Sequence, residues 1–168
     1  ACINKSIREG DFVHNPALQQ AMEVTQERSA ALHLFGLLSD GGVHSLQDHL
    51  YALLRMAQTH GLSRVFVHAC LDGRDTPPQS ARHYMTALQE TMQRQDIGAV
   101  ATVMGRYYGM DRDQRWERTE KAYQAMVHGQ GREAIDAVAA IERSYHEGVT
   151  DEFVLPVVLR QPDGSPVG

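Results

Sequence analysis

"RVFVHACLDGRDTPP", residues 64–78, contains the change of pattern that decides the fold. Val65 to Cys70 is a short run rich in β-branched and aromatic residues, the composition of a strand of ordinary length. Asp72, Arg74 and Asp75 then fall together in a loop hinged at Gly73 and stiffened at its exit by Pro77 and Pro78. A helical run follows, from Gln79 to about Arg94. A strand, a charged loop and a helix in that order make one βα unit.

The same order recurs on both sides. "ALHLFGLL" (31–38) is a strand, "SDGGVHS" (39–45) a loop, and Leu46, His49, Leu50, Leu53, Leu54 and Ala57 then recur at helical spacing. Ser45 is the expected cap of that helix and Gly61 its left-handed terminator. "GAVATVMG" (98–105) is a further strand, "RYYGMDRD" (106–113) its loop, and Gln114 to about His128 its helix. Asn15 followed by Pro16 starts an earlier helix that runs to about Arg28. Toward the other end, Glu133 to Glu147 reads as a helix closed by Gly148. "EFVLPVVL" (152–159) reads as a last strand, with Pro156 pointing to a sheet edge or a bulge. Repeated βα units require crossover helices and a parallel sheet. The expected fold is therefore α/β: a three-layer αβα sandwich with a mainly parallel sheet, one domain over residues 1–168.

Composition sets the outer bounds. The chain has 168 residues, 42% hydrophobic and 22% charged, an ordinary globular balance long enough for one real core. Its net charge of −5 argues against a whole-domain electrostatic footprint for nucleic acid. No apolar run approaches the roughly 20 residues that cross a bilayer, and no signal peptide is visible, so no membrane partner is expected. Cys2 and Cys70 are the only cysteines. One possible pair is not a disulfide framework, which favours a reducing, cytoplasmic setting, and Cys70 reads as a small core residue. The chain opens on Ala1 and closes on "RQPDGSPVG", a turn with no returning strand, which reads as an excised piece of a longer protein.

Right-handed crossovers bring the loops after parallel strands to one edge of the sheet, where open α/β folds bind ligands. The first loop delivers Asp40, Gly41, Gly42 and His44, the second Asp72, Arg74 and Asp75. The third delivers Arg106, Tyr107, Tyr108, Asp111, Arg112 and Asp113, with Arg115 and Arg118 one turn into the next helix. Several guanidinium groups at one mouth form a receptor for a small polyanion, since each planar fork clamps a phosphate or carboxylate through paired hydrogen bonds. The neighbouring aspartates hold the forks, and Gly41 and Gly42 let backbone N–H groups approach an anion. Each loop alone has a plainer reading: "DGG" as a tight turn, His44 as a capping residue, "DRDQRWER" as a solvated helix start laced with ion pairs. Shared charge on one edge is what favours a site. The nine histidines show no tight zinc spacing, and arginines beside "DGRD" and "DRD" would repel magnesium. No G-x-S-x-G or Walker loop is present.

"SDGGVHS", "HACLDGRDTPP" (68–78) and "GRYYGMDRDQRWER" (105–118) closely resemble, in order and separation, three loop motifs of the cofactor-independent (2,3-bisphosphoglycerate-independent) phosphoglycerate mutases. The likeness extends from "INKSIREGDFVHNPAL" (3–18) to "DEFVLPVVL" (151–159), nearly the whole chain. The resemblance implies an isomerase that interconverts 3-phosphoglycerate and 2-phosphoglycerate in glycolysis through a phosphoserine intermediate. An alkaline phosphatase-like domain with two Mn²⁺ ions would form that intermediate, and this chain resembles the other, phosphoglyceryl-transfer domain. No metal is expected on it. Carried over position by position, His44, Arg74, Asp75, Arg106 and Arg112 are the substrate-contacting residues. The three arginines would hold carboxylate and phosphate oxygens, and Asp75 and His44 would exchange protons with the glycerate hydroxyls, with the dominant base left open. Asp72 would organise the turn or pair with an arginine. The chain departs from the pattern at Leu46, where the family often has His, at Cys70, where Phe is usual, and at Gly109, where Ala is usual. The nucleophilic serine, the metal ligands and further arginines lie outside the chain, so the polypeptide alone is expected to be inactive. The competing expectation is a non-catalytic module that captures a small phosphorylated polyanion.

Overall fold

The computed structural model describes residues 2–168. Three βα units follow the expected order: β1 (Leu32–Leu38) and α3 (Gln47–Thr59), β2 (Val65–Leu71) and α4 (Ala81–Gln95), β3 (Ala99–Gly105) and α6 (Trp116–His128). A single helical turn, α5 (Arg106–Gly109), follows β3 directly. The chain enters through α1 (Cys2–Glu9) and α2 (Pro16–Glu27), and it leaves through β4 (Arg132–Ala134), α7 (Ala137–His146) and β5 (Val157–Leu159). The sheet order is β1-β2-β3-β5-β4. β1, β2 and β3 run parallel, and β5 runs antiparallel to β3. The fold is α/β with a mainly parallel five-stranded sheet.

Alternation along the strands sorts side chains to the two faces. Val65, Val67, Ala69 and Leu71 of β2 join Leu54, Met56, Met85, Leu88 and Ile141 in the larger core, under α3, α4 and α7. Cys70 joins Leu37, Met104 and Ala122 in a small second core beneath α5 and α6. Leu54, Met85 and Leu88 are fully buried, and each is worth roughly 1.5–3 kcal/mol in transfer free energy.

Several local expectations give way. Ser45 does not cap α3; its hydroxyl donates to the Leu37 carbonyl at 3.0 Å, and the cap position falls to Leu46. Residues 132–134 are a strand rather than the start of a helix, because they pair beside β5; α7 begins later, capped by Asp136 accepting from the Ala139 N–H at 2.8 Å. "EFVLPVVL" is not one strand, since Asp151–Phe153 is a 3₁₀ turn and β5 starts only after Pro156. Nor is β5 an edge strand: it lies between β3 and β4. The final turn does return, through a bridge between Arg160 and Pro166 and a Val167 N–H to Leu159 carbonyl bond of 3.0 Å.

The antiparallel course of β5 matters for the site. Its entrance, not its exit, lies at the edge where β1, β2 and β3 end, so the Asp151–Phe153 turn joins the three loops there. Gly105 marks how closely it does so: a Cβ at that position would sit 2.1 Å from the Glu152 carbonyl oxygen.

Candidate active site

Asp72 organises the edge from within. The side chain is buried, and its Oδ2 accepts from the Ser39 hydroxyl at 2.6 Å. Its Oδ1 accepts from the N–H groups of Arg74 (3.2 Å) and Asp75 (2.9 Å) and from Arg106 Nη1 (2.8 Å). Burial alone would raise the pKa of this carboxyl. The hydrogen bonds outweigh it and hold Asp72 below the ordinary carboxylate value. One carboxylate therefore closes the second loop as an Asx turn, ties it to the first loop and fixes an arginine from the third.

Arg106 extends the chain of contacts. Its Nη1 also donates to Asp75 Oδ2 at 2.7 Å, and only 11% of its side chain is exposed. Burial would lower its pKa, but hydrogen bonds to Asp75 and Asp72 raise it instead, so it stays charged. Asp75 Oδ2 lies 3.9 Å from His44 Nε2, beyond direct hydrogen-bond reach. Arg118 donates to Asp111 at 3.2 Å and lies over the Tyr107 ring, 3.7 Å from its centroid. Arg112 is exposed, with no carboxylate within ion-pair distance among the described residues.

Apart from the buried Asp72, these groups line one cleft of about 320 Å³. His44, Arg74, Asp75, Arg106 and Arg112, all picked out in the sequence, are among its lining residues. Tyr107 lines it as well, whereas Tyr108 packs on the second core. Gly41 and Gly42 do not line the cleft. The Gly41 N–H is turned to Ser39 Oγ at 3.3 Å, and the residue instead lets the first loop lie against the second, since a Cβ there would be 3.2 Å from Asp75 Cβ. Arg115 also stays outside, its N–H donating to Asp111. A larger hollow of about 810 Å³ opens at the opposite edge, beside Asp96 and Ile135, but no arginine lines it.

Two contributors escaped the sequence reading. Glu152 lines the cleft, with Oε1 3.6 Å from Arg74 Nη1. Asp151, fully buried, accepts from the N–H groups of Ser80 and Ala81 at 2.9 Å each and from the Tyr145 hydroxyl. It thereby caps α4 and pins the Glu152 turn onto the loop that carries Arg74. Burial dominates its titration and raises its pKa. The sequence signal was an acidic pair ahead of an apolar run, of which only Glu152 fell within the expected strand.

The family model described as the BPG-independent PGAM N-terminus matches residues 3–168. The 2,3-bisphosphoglycerate-independent phosphoglycerate mutase of Moorella thermoacetica is 53% identical over 165 residues, which are 98% of this chain and 32% of that protein. Its counterpart from Lachnoclostridium phytofermentans is 57% identical over 157 residues, 94% of this chain and 30% of that protein. A crystal structure of Leishmania mexicana phosphoglycerate mutase at low cobalt concentration superposes with a TM-score of 0.93 at 30% identity, over 99% of this chain and 32% of that one. The chain thus spans about a third of the length of the relatives it matches.

Proposed function

Because the chain belongs to the BPG-independent phosphoglycerate mutase family, matching its N-terminal model, we propose that the cleft binds 2-phosphoglycerate and 3-phosphoglycerate as the substrate-holding part of an isomerase. The observation that carries this reading is one cleft holding four guanidinium groups beside the Asp75–His44 pair. In the intact enzyme, a serine on an alkaline phosphatase-like domain takes the phosphoryl group and returns it to the neighbouring hydroxyl. That cycle belongs to the cytoplasmic interconversion of the two phosphoglycerates.

Arg74 and Arg112 supply the grip on the anion. Among the four arginines of the cleft their charge is the least committed to carboxylates of the chain, and guanidinium forks match carboxylate and phosphate oxygens. Arg106 is held by two carboxylates and presents a guanidinium fixed in the wall of the cleft. Asp75 and His44 carry the proton. As the phosphoryl leaves O3 of 3-phosphoglycerate for the serine, O3 takes a proton; O2 then loses its proton as it attacks phosphorus. A hydroxyl oxygen about 2.8 Å from both Asp75 Oδ2 and His44 Nε2 fits their 3.9 Å separation, so either group can hold the proton between the two half-reactions.

On this reading two Mn²⁺ ions belong to the other domain of the intact enzyme, where they would activate the serine and neutralise phosphoryl charge. The donors here do not suit them: Asp72 and Asp75 are bonded to Arg106 and Asp111 to Arg118. Among the described residues no three His, Cys, Asp or Glu side chains group to hold a metal. The test is calorimetric titration of 3-phosphoglycerate into the chain and its Arg74→Ala and Arg112→Ala variants. Binding that weakens at least tenfold in each variant supports the reading; equal affinity in all three removes the arginines from the site.

A further inference from the structure

Four guanidinium groups and four carboxylates line the cleft, so an anion entering it meets a site whose charge is already balanced. The pairings differ in quality. Arg106 is committed to Asp72 and Asp75 at 2.8 and 2.7 Å, within the range of strong charge-assisted hydrogen bonds. Arg74 meets only Glu152, at 3.6 Å, and 55% of its side chain is exposed. That contact is an ion pair without a short hydrogen bond, the kind that a better acceptor displaces.

We propose that Glu152 is the resident counter-ion of Arg74: its carboxylate holds the guanidinium in the free protein, and an incoming phosphate or carboxylate displaces it. The proposal rests on the reading that this cleft binds phosphoglycerate. Glu152 cannot withdraw with the rest of its turn. Asp151 pins that turn through Ser80 and Ala81, its own N–H donates to the Pro78 carbonyl at 2.9 Å, and Gly105 packs directly against it. Only the side chain can swing aside, so a negative charge stays near the bound anion and weakens its hold. Glu152 is thus a positioning residue that keeps Arg74 at the mouth of the cleft in the free state and limits affinity in the bound one.

The test titrates inorganic phosphate and 3-phosphoglycerate into the parent chain and into Glu152→Gln, Glu152→Ala and Arg74→Ala, with circular dichroism confirming that each is folded. Glu152→Gln and Glu152→Ala are expected to bind roughly three- to tenfold more tightly at low salt. The gain should shrink near 0.5 M NaCl, about where screening falls to a few ångströms, because it is Coulombic; a packing role would be insensitive to salt. Equal or weaker binding by both variants, or a gain that salt leaves unchanged, overturns the proposal. If the parent binds and Arg74→Ala does not, while Glu152→Gln gains nothing, the proposal alone fails. If no form binds either anion, the site reading fails and takes the proposal with it.

Discussion

Gly105→Ala is the sharpest test of how the fold builds the edge that carries the candidate site. A Cβ at this position would lie 2.1 Å from the Glu152 carbonyl oxygen, 2.5 Å from its carbonyl carbon and 2.7 Å from the Asp151 carbonyl oxygen. All three are backbone atoms, so no rotamer change relieves the contact. Reaching ordinary contact at 3.4 Å moves either the end of β3 or the 151–153 turn by more than an ångström. That turn is held by the Asp151 carboxylate on Ser80 and Ala81 at 2.9 Å, by the Asp151 N–H on Pro78 at 2.9 Å, and by the Gly105 N–H on Val154 at 2.8 Å. A shift of that size carries several of these bonds past hydrogen-bonding distance. At roughly 1 kcal/mol net for each, with Asp151 left buried and poorly paired, the expected loss is about 3–4 kcal/mol. That is a large part of the 5–15 kcal/mol typical of a folded domain.

Urea denaturation followed by far-ultraviolet circular dichroism measures this loss, and Gly36→Ala is the control. Gly36 lies mid-strand with nothing within 4 Å of its would-be Cβ, so alanine there should be neutral or slightly stabilising. A Gly105→Ala loss below about 1 kcal/mol, the scale of a single hydrogen bond, or a loss matched by Gly36→Ala, would refute the claim that the Glu152 turn is locked against β3.

Acid should weaken the fold through His68, which is buried with Nε2 2.9 Å from His33 Nδ1 and Nδ1 2.9 Å from Thr102 Oγ1. Burial, reinforced by His33, pushes its pKa from 6.5 down to about 4. Between those values the unfolded chain binds the proton and the folded chain does not. Stability from this group is therefore complete above pH 6.5 and falls as pH drops toward 4, by roughly 3 kcal/mol in all; His68→Gln should flatten that slope in urea titrations at stepped pH. Gly109→Ala should cost about 1–3 kcal/mol, since its Cβ would lie 2.4 Å from Cys70 Sγ, and Cys70→Ala should recover part of the loss in a double-mutant cycle. Cys70 itself should resist thiol reagents in the native state, because burial raises its pKa to about 12.

The parts of the site that were legible in the sequence are those encoded locally. The alternating run into Asp72 and the glycine and prolines around Arg74 and Asp75 are signals within fifteen residues, and parallel topology then supplies their meeting with His44, Arg106 and Arg112. What stayed hidden depends on pairing between distant segments. Whether "EFVLPVVL" enters or leaves the functional edge depends on β5 running antiparallel to β3, and no periodicity records that choice. Once it is known, Asp151 and Glu152 fall into place as a cap for α4 and a partner for Arg74. Ser45 illustrates the same limit on a smaller scale. It has the right chemistry for a cap, but the turn aims its hydroxyl at Leu37 instead.

On the proposed reading the arginines of the cleft divide between structure and binding, and that division is measurable. Arg106 connects Asp72 and Asp75 through one nitrogen while almost buried. Removing it leaves a buried carboxylate that keeps only Ser39 and two backbone donors. Arg106→Ala should therefore cost about 2–4 kcal/mol of stability, near the range for breaking a buried ion pair. Arg74 and Arg112 are exposed and contribute little to the fold, so their alanine variants should unfold within about 0.5 kcal/mol of the parent. If Arg74 or Arg112 proves as costly to the fold as Arg106, the cleft is a structural ion-pair network. If only Arg106 is costly and all three variants lose affinity for 3-phosphoglycerate, one buried arginine shapes the mouth and two exposed ones grip what enters it.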